Sequence, residues 1–158
     1  LVKGSHIITK KLYKEDVAFT FQNKDKRIIF VIPYKGKFSL IGTTEVEVKS
    51  PENTEISKSE IKYLINSVNE YLKKEISTKD IVDTYSGIRP LIEDFNTATK
   101  VTRDYVFDLN IIKNLPLLNI YGGKLTTYRK LSEKVLLDLK EYLPNTKKGP
   151  WTDKKKLI

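Results

Sequence analysis

An α+β fold is predicted for this chain: a largely antiparallel sheet with an amphipathic helix on one face, followed by a C-terminal strand–helix unit. Three observations predict it. Short apolar runs separated by tight polar turns fill the first ~45 residues, and turns that short can join only antiparallel neighbours. Ser57 followed by Glu60 forms a capping box, with Ile61, Leu64, Ile65, Val68 and Leu72 behind it at helical spacing. Near the end, an apolar strand runs straight into Gly122-Gly123 and a second helical pattern.

Taken in order, Ile7-Ile8 continue a β-like run from the start of the chain. Residues 17–21 form an apolar and aromatic strand, and Asn23 to Lys26 a turn. The near-continuous apolar run 28–32 predicts a strand covered on both faces. Tyr34-Lys35-Gly36-Lys37 turns the chain into a strand over 38–44, and Ser50-Pro51-Glu52-Asn53 breaks the pattern. The spacing predicts a helix over 58–73, and Ser77 with Asp80 caps a further single turn. Residues 81–92 are β-rich around Gly87 and Pro90, residues 101–109 alternate, and residues 117–121 are a short strand. Tyr128, Leu131, Val135 and Leu139 mark a helix over 126–143, which Pro144-Asn145 stops. The first sheet is expected to span residues 1–112, the strand–helix unit 116–143, and a polar linker 144–158.

With 158 residues, 39% hydrophobic and 31% charged, the chain has the composition of a globular domain able to bury a core. No stretch approaches the ~20 apolar residues that span a bilayer. Without cysteine, thiolate metal sites, disulfides and cysteine nucleophiles are excluded, and no metal site is expected. The chain opens Leu1-Val2-Lys3 and holds no methionine, so it reads as a segment of a longer protein; a tag remnant at Gly4-Ser5-His6 is the alternative. The net charge of +9 suits an anionic partner such as nucleic acid or a phosphorylated metabolite, although most lysines fall on turns and helix faces where they only solvate the surface.

Four places carry candidate chemistry. In Val101 to Phe107, alternation puts Arg103 on the more apolar face with Tyr105 and Phe107, where a guanidinium must find an anion: a ligand, or a carboxylate elsewhere in the core. In Tyr85-Ser86-Gly87-Ile88-Arg89-Pro90, the proline holds Arg89 extended at a strand end, and Gly87 permits a bulge or close approach. Arginine there suits a phosphate or polar carbonyl, and equally a surface position beside a bulge. The Gly122-Gly123-Lys124-Leu125-Thr126 segment offers free N–H groups at a helix start plus a cation, an arrangement that accepts anions but also makes an ordinary tight turn. His6, the sole histidine, has the pKa range of a general base or is simply a packed residue.

Together these pieces resemble the bacterial aerobic glycerol-3-phosphate dehydrogenases, flavoproteins of the D-amino-acid-oxidase-like fold. The matching stretches are Lys3-Gly4-Ser5-His6-Ile7, Arg27-Ile28-Ile29-Phe30, Ile41-Gly42-Thr43-Thr44-Glu45, Tyr85 to Leu91, Thr102-Arg103-Asp104-Tyr105, Gly122 to Lys130 and Pro150-Trp151-Thr152, in the family's order. Glu45 stands where the family often has aspartate. The resemblance implies an FAD-dependent enzyme that oxidises sn-glycerol 3-phosphate to dihydroxyacetone phosphate and passes electrons to quinone. It implies that Arg103 and Lys124 hold the phosphate, that Arg89 contacts the C2 oxygen or nearby phosphate, and that His6 accepts or relays the hydroxyl proton. Gly122, Gly123, Lys124, Leu125 and Thr126 would face the flavin, so residues 1–112 would be the substrate-binding portion and 116–143 part of the flavin domain. It further implies a cytoplasmic enzyme held peripherally on the inner membrane. A homodimer through exposed apolar surface is a further expectation. No Gly-x-Gly-x-x-Gly turn is present, so weak or absent FAD binding is expected of these 158 residues alone. A nucleic-acid-binding module and a non-catalytic interaction domain are the alternatives; no RRM, KH or helix-turn-helix signature is present.

Overall fold

The computed structural model describes residues 1–52, 54–89, 104–144 and 149–156. The chain divides into two compact units, Leu1–Val101 and Thr102–Ile158.

The first unit is a six-stranded sheet of β1 (Val2–Lys10), β2 (Phe19–Gln22), β3 (Ile28–Tyr34), β4 (Phe38–Gly42), β5 (Val46–Glu47) and β6 (Ile81–Arg89), with one helix, α1 (Lys58–Asn69). All pairings are antiparallel. β2, β3 and β4 form the predicted meander. β1 is the central strand: β4 pairs with its residues 6–10 and β5 with its residues 2–3, while β6 runs along the other side from Val2 to Thr9.

Because strand side chains alternate, the odd residues of β1 face α1 and the even residues face away. Ile7 joins Ile29, Val31 and Ile41 from the neighbouring strands against Leu64, Ile65 and Val68 of α1, with Ile76 closing the core. Burying these side chains contributes roughly 1.5–3 kcal/mol each. The helix starts where predicted. Ser57 Oγ accepts from the Glu60 N–H at 3.2 Å and the Glu60 carboxylate accepts from the Ser57 N–H at 2.9 Å, completing the capping box. It ends at Asn69, short of 73, because the Asn69 side chain pairs with both the N–H and the C=O of Ile76 at 2.9 Å and turns the chain toward β6. Ser77 and Asp80 cap the predicted single turn.

One strand expectation fails within this unit. The run 28–32 is not covered on both faces: Ile29 and Val31 are fully buried, whereas Phe30 is 41% exposed and Ile28 and Ile32 are also open. Alpha-helical cover lies on one face only, and an unbroken apolar run hides the alternation.

The second unit is a hairpin of β7 (Tyr105–Ile112) and β8 (Leu115–Gly122), followed by a 3-10 turn over Leu125–Thr127 and α2 (Tyr128–Asp138). The sequence reading placed 105–112 in the first sheet, but β7 pairs along its whole length with β8. The two-residue loop Lys113-Asn114 has φ of 50° and 64°, the left-handed pair that suits strand twist in a tight hairpin. Pro116 sits within β8, which a two-stranded ribbon tolerates because one edge of each strand needs no ladder donor. The α2 helix is shorter than the predicted 126–143, its two ends tightening into 3-10 turns at 125–127 and 140–142. The C-terminal segment is tied back: Thr152 Oγ1 accepts from Arg129 Nη1 at 3.1 Å and donates to Glu133, whose carboxylate also pairs with Arg129 at 3.1 Å.

Candidate functional site

The sheet face away from α1 brings two of the predicted residues together. His6 on β1 is in register with Tyr85 on β6 and with Gly42 on β4, and Val2, two positions from Gly4, is in register with Arg89. Gly4, His6, Gly42, Tyr85, Gly87 and Arg89 therefore share one face.

The glycines explain how two large polar side chains lie flat on a sheet. A Cβ at Gly42 would stand 2.1 Å from Cδ2 of His6, so the imidazole occupies the space a side chain would take. A Cβ at Gly4 would stand 2.5 Å from Nη2 of Arg89 and 2.7 Å from Oγ1 of Thr43. Arg89 Nη2 donates to Thr43 Oγ1 at 3.2 Å, and the Gly42–Thr43 peptide that carries this hydroxyl is cis. The Tyr85 ring leans beside His6, with ring centroids 5.7 Å apart. Gly87, between Tyr85 and Arg89 on the same face, leaves the Tyr85 hydroxyl 3.8 Å from where a Cβ would be.

Electrostatics sets the protonation of His6. Burial, and secondly the Arg89 charge, hold its pKa below 6.5, so the imidazole is neutral at neutral pH. Nδ1 is buried and has no hydrogen-bond partner among the described residues. A neutral imidazole beside a guanidinium can take a proton from a hydroxyl while the cation steadies the developing oxyanion.

The other face of the same strand carries a buried ionic cluster that sequence reasoning missed. Glu60 is 5% exposed. Its Oε1 accepts from Ser5 Oγ and Thr44 Oγ1, each at 2.8 Å, and its Oε2 pairs with Lys3 Nζ at 2.9 Å. Lys3 also donates to the Glu55 carbonyl at 2.6 Å, and Ser86 Oγ donates to Ser5 Oγ at 2.9 Å. Burial alone would raise the Glu60 pKa; hydrogen bonds from the Ser57 N–H, Lys3, Ser5 and Thr44 outweigh it and hold the carboxyl at about 2. A signal was legible: Lys3 and Ser5 fall on the same face of the strand as Ile7, so two polar side chains continue a face that the apolar pattern buries.

The remaining predicted residues lie in the second unit or outside the description. Gly122 and Gly123 have φ of 72° and 95°, which a side-chain-bearing residue adopts only with strain. They turn β8 into the helical segment, and a Cβ at Gly123 would already touch Tyr105 at 3.5 Å. Lys124, Leu125 and Thr126 are exposed, Leu125 at 90%. Thr127 Oγ1 accepts from the Lys124 N–H at 3.3 Å, and the next N–H groups of the turn have no intrahelical acceptor by geometry. That donor set, with the Lys124 amine beside it, suits the electron-rich edge of a heteroaromatic ring or an anion. Arg103 lies outside the described residues. Among the described residues no group of His, Asp and Glu is arranged to hold a metal ion.

The FAD dependent oxidoreductase family matches residues 1–129. The chain belongs to that family. It is 48% identical over 156 residues to the aerobic glycerol-3-phosphate dehydrogenase of Escherichia coli, covering 96% of this chain and 31% of the relative. It is 45% identical over 154 residues to the D-erythritol 1-phosphate dehydrogenase of Brucella abortus, covering 96% of this chain and 30% of the relative. The solved glycerol-3-phosphate dehydrogenase of Bacillus halodurans, complexed with FAD, superposes with a TM-score of 0.66 at 26% identity, over 96% of this chain and 28% of that one. The chain thus spans about a third of the length of the curated relatives it matches. The nucleic-acid-binding and non-catalytic alternatives gain no support from these relatives.

Proposed function

We propose that this chain is the substrate-side portion of an FAD-dependent dehydrogenase that oxidises sn-glycerol 3-phosphate to dihydroxyacetone phosphate. The observation that carries the reading is the His6–Arg89 pair, seated over Gly42 and Gly4 on the open face of the sheet. A neutral base and a fixed cation side by side are what removal of a hydroxyl proton from a secondary alcohol requires. The names of two relatives, a glycerol-3-phosphate and an erythritol 1-phosphate dehydrogenase, favour a phosphorylated polyol as the substrate.

In this reading His6 accepts the C2 hydroxyl proton on its imidazole, and Arg89 hydrogen-bonds the C2 oxygen as it becomes a carbonyl. Arg103 and Lys124 neutralise the phosphate, which as a dianion needs cations or N–H donors wherever water is excluded. FAD, when bound, supplies the two-electron acceptor for the C2 hydrogen. Gly122, Gly123 and the Leu125 and Thr126 N–H groups would hold the flavin, offering fixed donors that stabilise added negative charge without reorganising. The exposed apolar side chains of the open sheet face, Phe30 among them, then line the wall that keeps water from the reaction. Residues 1–112 serve the substrate and 116–143 the flavin. We further propose quinone as the electron acceptor and peripheral attachment to the cytoplasmic face of the inner membrane. No helix among the described residues is long and apolar enough to cross a membrane. A homodimer through exposed apolar surface completes the proposal.

The test is dye reduction by the full-length, FAD-loaded protein. Glycerol 3-phosphate should reduce the dye, unphosphorylated glycerol should not, and equal rates with both would sink the substrate assignment. FAD titration into the 158-residue chain alone should leave no tightly bound flavin; stoichiometric flavin absorbance after gel filtration would overturn that part.

A further inference from the structure

The Glu60 cluster lies directly behind the His6–Arg89 pair, and its geometry exceeds what a helix cap needs. The cap uses Oε2, which accepts from the Ser57 N–H and, at 2.8 Å, from Ser57 Oγ. Oε1 points the other way, into the sheet, and takes the hydroxyls of Ser5 and Thr44. Those two residues are also bound to each other. The Ser5 N–H donates to Thr44 Oγ1 at 3.0 Å, and the Thr44 N–H donates to the Ser5 carbonyl at 3.2 Å. One carboxylate oxygen thus clamps β1 to the segment after β4 at a single point. On the opposite face, one residue to either side of that point, stand Gly4, His6 and Thr43. Thr43 is the residue whose hydroxyl receives Arg89.

Stability alone does not account for such a cluster. A buried lysine–glutamate pair gives up hydration that its mutual attraction barely offsets, and well-packed apolar side chains in its place are often as stable or more so. A fully hydrogen-bonded buried network, in contrast, permits one backbone arrangement and penalises others. We propose that Glu60 is a positioning residue: by holding the Ser5 and Thr44 hydroxyls from behind the sheet, its carboxylate fixes β1 and the Thr43–Thr44 segment against each other, and through them the placement of His6 and Arg89. This rests on the roles proposed above for those two residues.

Thr44→Val tests it in the full-length, FAD-loaded protein, because valine keeps the volume and removes the hydroxyl that links Glu60 to the loop and accepts from the Ser5 N–H. The expected result is a fall in kcat/KM per bound flavin of about tenfold to a hundredfold, the scale of an ångström's misplacement, with flavin content kept. Thr44→Ser, which restores the hydroxyl, should recover most of the loss; a merely structural threonine would give no such hydroxyl-dependent rescue. Unchanged kcat/KM in Thr44→Val overturns the proposal, as does equal loss in Thr44→Val and Thr44→Ser. If Thr44→Val does not take up flavin, Ser5→Ala replaces it with the same two outcomes, since it removes the other hydroxyl on Oε1. Arg89→Lys, assayed in parallel, separates the failures. Lost activity there with an unaffected Thr44→Val sinks the positioning role alone, and full activity there sinks the assignment of the site.

Discussion

The two faces of β1 differ in what they ask of a polar residue. Toward α1, Lys3 and Ser5 are buried and bonded to Glu60, and every polar contact is closed within the protein. Away from α1, His6 and Arg89 are half-buried, His6 Nδ1 has no partner among the described residues, and two glycines make room for the side chains. Closed polar groups stabilise a single arrangement, while a buried polar atom with no partner among the described residues, as His6 Nδ1 is, is available for a ligand. One strand of nine residues supplies both, because alternate residues never meet.

If that contrast is correct, substitutions on the two faces should separate activity from stability. His6→Asn should cost the most, lowering kcat by about 10²–10⁴-fold in the full-length enzyme, while the thermal midpoint stays within a few degrees. An equal loss of both would erase the distinction. Leu64→Ala, on the covered side, should do the reverse: about 2–5 kcal/mol of stability lost in urea unfolding, with kcat per bound flavin unchanged.

Acid sharpens the contrast next. The Glu60 pKa is held at about 2 against 4.5 for a free glutamate side chain, so the folded state binds fewer protons than the unfolded chain between those values. Its contribution of roughly 3 kcal/mol is present above pH 4.5 and lost as the pH falls toward 2. Glu60→Gln should flatten that part of the stability–pH curve. His6, with its pKa also lowered, gives a loss of the same sign beginning below pH 6.5, as the unfolded chain takes up the proton first. In activity, the same shift puts the acid limb of kcat/KM below pH 6.5. An acid limb above 6.5 would contradict the burial of the imidazole. The smallest effect is expected for Gly42→Ala, whose methyl meets the imidazole: about 1–3 kcal/mol of destabilisation, measured by thermal unfolding, together with a displaced His6 and reduced turnover.

The contrast also explains what could be read from the sequence. Helix α1 was legible because its capping box and its i, i+3, i+4 apolar pattern are local. The meander of β2, β3 and β4 was legible because its turns are short. The β7–β8 hairpin was not, since its Lys113-Asn114 loop lacks the usual glycine and Pro116 argues against a strand. The one-sided cover of β3 was hidden because its exposed positions, Ile28, Phe30 and Ile32, are as apolar as its buried ones. At the site, His6 and Arg89 could be nominated by residue type and motif, and their adjacency follows only from β1–β6 pairing. Gly4 and Gly42 drew no role, because a glycine's importance lies in the neighbour that fills its space. Glu60 looked like an ordinary capping residue; only the fold brings Lys3, Ser5 and Thr44 to it across more than a dozen positions of sequence.

That the chain has a single histidine gives the open face its own reporter. In a sample of these 158 residues labelled only at histidine ring carbons or nitrogens, every signal comes from His6. Titrating such a sample with glycerol phosphates or inorganic phosphate would follow protonation and ligand contact at one atom group, free of overlap from the rest of the protein.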